Sequence, residues 1–275
     1  KYRVYVTGSN AKMLSKEVAT TLGGRFFIYD AYPYSFKEYL AAQQVELKEH
    51  WEYDTIQRSE VKRHLNEYFY YGGLPEILSF KNKRAMLSSL YQKIYLGDIC
   101  ARNNIKNDRV LNILIKKMAE SVKQPLSYNR LKNVIVATGS PISVPTTIDY
   151  VDYTSDSWLI LPMENEVGKL TEKEMQKKYY FVDNGLLNLF LMNSETSLLE
   201  NMVAVELCRR FGKKNVFFLN SEKEIDFIVP DEKLAIQVSY SIKEESTYNR
   251  EVPPLTKYAK AHEDWKCLLI TYDEE

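Results

Sequence analysis

Cysteine and histidine are scarce in this chain. Cys100, Cys208 and Cys267 lie far apart in 275 residues. They form no pairing pattern, which excludes a disulfide framework and fits a reduced, cytoplasmic setting. His50, His64 and His262 are equally scattered. Without a Cys/His cluster no zinc site is expected. No apolar run approaches the length of a membrane span and no stretch reads as a signal peptide, so no membrane partner is expected. Charge of either sign is not in excess, with 37 Lys+Arg against 37 Asp+Glu. A dedicated nucleic-acid binder usually carries a basic surplus, because phosphate neutralisation supplies most of its non-specific affinity. One loop is also missing. No Gly-x-x-x-x-Gly-Lys-Ser/Thr occurs anywhere, and that loop's backbone N–H groups and Lys normally hold the β- and γ-phosphates of a nucleotide. There is no internal repeat and no low-complexity tract.

What is present suffices for two or three domains, with 45% apolar residues to build their cores. The 21 tyrosines read as amphipathic packing rather than a platform for stacking bases. A β-rich run, Tyr2-Arg3-Val4-Tyr5-Val6, leads into Thr7-Gly8-Ser9-Asn10, and a Gly24-Arg25 turn follows. A strand ending in a polar residue, with such a turn downstream, can present Asn10 and Arg25 to a triphosphate. Residues 41–107 read as helical, with Glu60 to Tyr68 at helical spacing and Gly72-Gly73-Leu74-Pro75 as a break. Residues 108–180 read as a winged helix-turn-helix. Val110, Leu111, Ile113, Leu114, Met118 and Ala119 mark its first helix, and Ser127 caps the second. Thr146 to Tyr153 is the third, and Trp158–Leu161 and Lys178–Val182 are the wing strands. Residues 181–275 read as a compact α/β domain. It has a helix from Leu198 to Arg210 and strands at 216–219, 225–229, 234–238 and 267–272.

The ordered series of short tags carries a resemblance. Thr7-Gly8-Ser9-Asn10, Pro33-Tyr34-Ser35-Phe36-Lys37-Glu38, Gly72-Gly73-Leu74-Pro75-Glu76 and Asp98-Ile99 come first. Asp183-Asn184-Gly185-Leu186, Leu199-Glu200-Asn201, Glu224-Ile225-Asp226-Phe227 and Gln237-Val238-Ser239 follow. Together they resemble the predicted bacterial and archaeal AAA+ ATPases that carry a C-terminal restriction-endonuclease-like domain. The resemblance implies a multidomain α/β and α+β chain. Residues 1–40 would be the C-terminal part of the AAA+ core, 41–107 a helical lid or linker, 108–180 the winged helix and 181–275 the restriction-endonuclease-like domain. Lys1 stands where a start methionine would, and a C-terminal portion of a longer protein is expected. Asn10 would then be the sensor that orients the attacking water or touches the γ-phosphate, and Arg25 would stabilise charge on the transferring phosphoryl group. ATP and Mg²⁺ would be the cofactors, held mainly outside this chain. Rings are common among such relatives, so a homo-oligomer is an expectation too.

The same resemblance implies a nuclease-like site. Such folds place a helix Glu, a strand Asp and a Glu-x-Lys strand around Mg²⁺, with the Lys positioning the attacking water. Asp226 matches the strand Asp and would be the metal ligand. Gln237-Val238-Ser239 stands where Glu-x-Lys would be, and neutral Gln binds hard Mg²⁺ more weakly than a carboxylate. Glu200 and Glu206 compete for the helix Glu; their spacing prevents both from facing one site. Glu222 and Glu224 could add carboxylates. With no Lys at position 239, a fold-retaining but inactive domain is expected, with a divergent active nuclease as the alternative.

Two partner classes remain open, non-specific DNA and protein. Between Ala101 and Asp149 the basic residues Arg102, Lys106, Arg109, Lys116, Lys117, Lys123, Arg130 and Lys132 outnumber Asp108, Glu120 and Asp149. The third helix carries Asp149, Asp152 and Asp156, and no Lys or Arg lies between Asn133 and Gly168. A base-reading helix needs Arg, Lys, Asn or Gln in the major groove. A structural or protein-contacting winged helix is therefore expected. The overall reading is the C-terminal portion of an ATPase whose hydrolysis moves C-terminal modules against a partner. A metal-dependent DNA nuclease and a non-catalytic adaptor are the alternatives.

Overall fold

Ser35 shows how this sequence starts its helices. Its hydroxyl accepts the Glu38 N–H at 3.3 Å, and the Glu38 carboxylate accepts the Ser35 N–H at 2.8 Å. This reciprocal cap opens α1 (Phe36–Ala42). The computed structural model describes Tyr5, Arg25, residues 27–221 and residues 224–272. Asn10 and most of the expected first strand lie outside the described residues.

Residues 41–107 are mostly helical. Asp54 caps α2 (Thr55–Tyr71), its carboxylate accepting the Ile56 N–H at 2.9 Å. Then α3 (Lys83–Lys93) runs without a break into a π-helical stretch, Ile94–Ala101. Asn107 caps α4 (Asp108–Glu120), whose Val110, Leu111, Leu114, Ile115, Met118 and Ala119 are all buried at helical spacing. Ser127 caps α5 (Tyr128–Ala137), and Ser143 caps α6 (Val144–Asp156). A short β1 (Leu126–Ser127), β2 (Ile160–Met163) and β3 (Gln176–Phe181) pair antiparallel in the order β1-β3-β2. A short α7 (Leu170–Met175) leads into β3.

After β3 come α8 (Asn184–Asn188) and α9 (Glu195–Phe211). The second sheet has the order β4-β5-β6-β7, from β4 (Phe217–Asn220), β5 (Glu224–Val229), β6 (Leu234–Val238) and β7 (Lys266–Ile270). The first three strands are antiparallel. β6 and β7 are parallel, and a parallel pair needs a crossover. That crossover is α10 (Glu245–Ala261), a helix the sequence reading left unassigned. Pro253 and Pro254 sit inside it, and a Pro pair reads as a helix breaker.

One hydrophobic core runs from Phe69 and Ile77 through α4 and β3 to Phe227 and Val238. It crosses every expected module boundary within the described residues from 69 onward. A smaller cluster under α10 packs Leu255 against Leu219, Ile225, Ile228 and Ala235.

The family tags converge inside this core. The Asp183 carboxylate accepts the Gly73 N–H at 2.7 Å and the Gly185 N–H at 2.8 Å. Burial lifts its pKa to about 6, against the pull of the Gly73, Gly185, Leu186 and Leu74 N–H groups. Asn184 donates to the Phe69 and Leu198 carbonyls, both at 3.0 Å. Asn201 accepts the Phe181 N–H at 2.7 Å and donates to the Phe181 carbonyl at 3.0 Å and to Asn184 Oδ1 at 2.9 Å. Burying polar groups is costly unless they are paired, and these are. Gly72 has φ 76° and ψ −166°, a backbone region that only glycine adopts readily. A Cβ there would lie 2.0 Å from Asp183 Oδ1. Gly72→Ala should therefore destabilise the protein by roughly 3 kcal/mol or more. Equilibrium urea unfolding checks this; a change below about 1 kcal/mol would show that the junction yields easily.

Candidate functional site

The strand β3 alternates, so Lys178 and Tyr180 share one face. That face meets α9 and β5. Lys178 has no exposed surface. Its Nζ lies 3.3 Å from Glu200 Oε1, 3.2 Å from Asp226 Oδ1 and 3.4 Å from Glu224 Oε1. The Phe218 ring centroid is 5.7 Å away. The Tyr180 hydroxyl donates to Glu200 Oε1 at 2.8 Å. Asp226 Oδ2 accepts the Val238 N–H at 2.9 Å, which ties it to the β6 backbone.

The structure decides between the two helix glutamates. Glu200 is 3% exposed and faces Asp226, while Glu206 turns outward to Arg209 and Arg210. Gln237 is buried beside Asp226 but is committed elsewhere. Its Oε1 accepts the Asp226 N–H at 3.3 Å, and its Nε2 donates to Glu251 Oε2 at 2.5 Å. Glu251, on the unanticipated α10, is in turn held by Arg250 at 2.7 Å. Ser239 donates to the Ser241 carbonyl at 2.9 Å. The structure thus brings Asp226, Gln237 and Glu200 together and leaves Glu206 outside. A lysine joins them after all, from β3 rather than from position 239. The signal was present in Gln176-Lys177-Lys178-Tyr179-Tyr180-Phe181, where Lys178 falls on the Tyr180 face of an otherwise apolar strand end.

Burial raises the Glu200 pKa, with the Asp226 carboxylate adding to it and Lys178 and the Tyr180 hydroxyl opposing. Burial alone would lower the Lys178 pKa, but the Glu200, Asp226 and Glu224 carboxylates outweigh it and hold it above its ordinary value. The lysine is therefore an ammonium ion. Its Nζ stands between the carboxylates that a nuclease would use for Mg²⁺. That ion demands about six oxygens at roughly 2.0–2.1 Å. Among the described residues no three His, Cys, Asp or Glu side chains are placed to hold a metal ion. The residues present do not fit Mg²⁺ here.

The nucleotide half-site gives less. Asn10 lies outside the described residues, and Arg25 is exposed. With no phosphate loop in the 275 residues, these residues do not fit ATP by themselves, and no step follows from them. The segment that leaves this region is well held. Lys213 pairs with Asp30 at 3.3 Å, and its ammonium lies 4.2 Å from the Trp158 ring centroid. Arg209 donates to the Pro33 carbonyl at 2.9 Å. The Tyr34 N–H donates to the Gly73 carbonyl, and the Tyr68 hydroxyl donates to the Tyr34 carbonyl, both at 2.8 Å. Residues 30–34 thus form a strap that touches α2, the Gly72-Gly73 turn, Trp158 after α6 and the end of α9.

On the helices before β2, Lys116, Lys123 and Arg130 are exposed, while Lys117 pairs with Glu120 at 3.3 Å. Asp149 and Asp152 are exposed on α6. Two substitutions separate the inward and outward glutamates. Glu200→Gln should cost about 2 kcal/mol, because it weakens charge-assisted bonds in a dry site. Glu206→Gln should cost less than about 1 kcal/mol, as expected of a half-exposed ion pair. Urea unfolding of both variants checks this, and equal losses would contradict the assignment.

The comparisons with known proteins agree with part of this picture. Residues 1–40 match the family model described as AAA domain, and residues 62–197 match the one described as Domain of unknown function (DUF8612). The chain is 31% identical over 288 residues to an uncharacterized protein of Methanocaldococcus jannaschii, covering 100% of this chain and 64% of that protein. It is 33% identical over 249 residues to an uncharacterized protein of Haemophilus influenzae, covering 88% of this chain and 60% of that protein. The chain therefore spans less than two thirds of either relative. No solved structure gave a significant match. Among the described residues no helix is long and apolar enough to cross a membrane. The match over residues 1–40 supports an AAA-type ATPase family for this mixed α/β chain.

Proposed function

We propose that this chain is the C-terminal portion of an ATP-hydrolysing AAA-type protein, in which hydrolysis repositions C-terminal modules against a partner. The nucleotide and its Mg²⁺ would be held mainly by residues outside the chain, with Asn10 as sensor and Arg25 at the transferring phosphate. The observation that carries this reading is the strap. It lies within the AAA-matched stretch, near its end, and is gripped by Arg209 and Lys213 at the end of α9. The Glu200 cluster lies on the same helix. A displacement of the nucleotide core would pull on α9 directly.

The order α4-β1-α5-α6-β2-α7-β3 supports reading residues 108–180 as a winged helix. Its acidic α6 favours a protein partner over base reading, since carboxylates there repel phosphates. The order α9-β4-β5-β6-α10-β7, with Asp226 and Glu200 facing each other, supports a restriction-endonuclease-like domain.

A second reading, a metal-dependent nuclease centred on Asp226, Gln237 and Glu200, is favoured by the lysine beside the carboxylates. Burial opposes it. Glu200, Asp226 and Lys178 are 3%, 6% and 0% exposed, and a scissile phosphate needs access to its metal.

The test uses the full-length protein. It should hydrolyse ATP, and ATP should change amide hydrogen exchange in α9. In the Arg209→Ala/Lys213→Ala variant, hydrolysis should persist while the exchange response of α9 disappears. Absence of hydrolysis would sink the ATPase reading; an unchanged α9 response would sink the strap as the route. DNA cleavage with Mg²⁺ or Mn²⁺ that is lost in Asp226→Ala would install the nuclease reading instead. DNA binding that weakens and loses its salt slope when Lys116, Lys117, Arg130 and Lys132 are neutralised would favour the adaptor.

A further inference from the structure

The buried cluster has three acids and one base. Glu200 and Asp226 are almost fully buried, Glu224 is half-exposed, and all three place an oxygen 3.2–3.4 Å from the same ammonium. Two carboxylates in a dry pocket cannot both stay ionised without a cation between them. In a nuclease that cation is a divalent metal. Here the chain provides it from β3, the strand paired in the other sheet. Protonation of Glu200, which its burial favours, is opposed by the Lys178 ammonium and the Tyr180 hydroxyl, and the neutral donors nearby are already committed. Gln237 is committed to Glu251, and the Val238 N–H reaches only the far oxygen of Asp226. Tyr180 donates its one proton to Glu200.

We propose that the Lys178 ammonium is a built-in substitute for a divalent cation, filling the seat formed by Glu200, Glu224 and Asp226 and excluding metal from it. With the ammonium among them the three carboxylates form no metal site. Cutting Lys178 back to Cβ frees them to close on an ion, and Glu224, 52% exposed, marks the path by which it enters. This inference does not depend on ATP hydrolysis.

The experiment is thermal unfolding of the full-length protein without nucleotide, in EDTA and in excess MnCl₂. The wild type should melt at the same temperature in both. Lys178→Ala should melt about 10 °C lower in EDTA, as an uncompensated buried carboxylate pair requires. Mn²⁺ should restore at least half of that loss. Lys178→Ala/Asp226→Asn should show no Mn²⁺ rescue. Two results would overturn the proposal. One is a wild-type melting point that rises with Mn²⁺ and stops rising in Asp226→Asn, because the seat would then already take metal. The other is a Lys178→Ala protein indifferent to Mn²⁺. If Lys178→Ala does not fold, the neutral triple variant Lys178→Met/Glu200→Gln/Asp226→Asn decides. A folded triple supports the counter-ion role; an unfolded one overturns it.

Discussion

The placement of β3 against α9 depends on a chain of buried hydrogen bonds. Asn201 clamps both backbone groups of Phe181, Asn184 clamps the ends of α2 and the start of α9, and Asp183 clamps the turn at Gly73. Each of these side chains is at most 5% exposed. A buried amide that loses its partner costs about 1–3 kcal/mol, so the members stand or fall together. Their effect is to fix β3 against α9. Only with that pairing fixed does Lys178 land between Glu200 and Asp226, and only then does the end of α9 reach the strap. The electrostatic site is thus downstream of a neutral polar one.

This ordering also gives two of the family tags a packing role. Asp183-Asn184-Gly185 and Gly72-Gly73 are joined to each other by hydrogen bonds from the Gly73 and Gly185 N–H groups to Asp183. A Cβ on Gly185 would fall 2.2 Å from the Tyr71 carbonyl oxygen. The glycine is there for close approach of two backbones.

Much of the fold was legible from periodicity. The apolar positions of α4 repeat at helical spacing, Ser127 is followed by an apolar helical run, and the strands over 217–238 are short and β-branched or aromatic. Two things were not. The first is α10, whose Pro253-Pro254 pair reads as an interruption, although the helix is stabilised by Leu255 packing on the sheet. Tertiary burial outweighed a local signal. The second is the lysine of the site. The sequence reading looked for it on the strand that carries Gln237, since proximity in sequence is the only distance a sequence contains. Lys178 sits 48 residues before Asp226 on a strand belonging to the other sheet. The choice of Glu200 over Glu206 was equally hidden. Spacing showed that they differ in direction, but only the packing of α9 against β3 and β5 shows which points inward. The roles of Asn10 and Arg25 still rest on the match over residues 1–40.

The strap has a consequence for how the protein is made. Arg209 and Pro33 are separated by 176 residues, and Gly73 and Asp183 by 110. Contacts of such long sequence separation close late, because the loop entropy is lost before the contact forms. Chains emerge from the ribosome at about 5–20 residues per second. Residues 30–34 therefore wait roughly ten to thirty-five seconds before the helix that grips them exists. During that interval Tyr34 already has α2 and the Gly73 carbonyl to bind, while Asp30 and the Pro33 carbonyl still lack Lys213 and Arg209. The strap is thus closed in two stages, first onto α2 and then onto the end of α9.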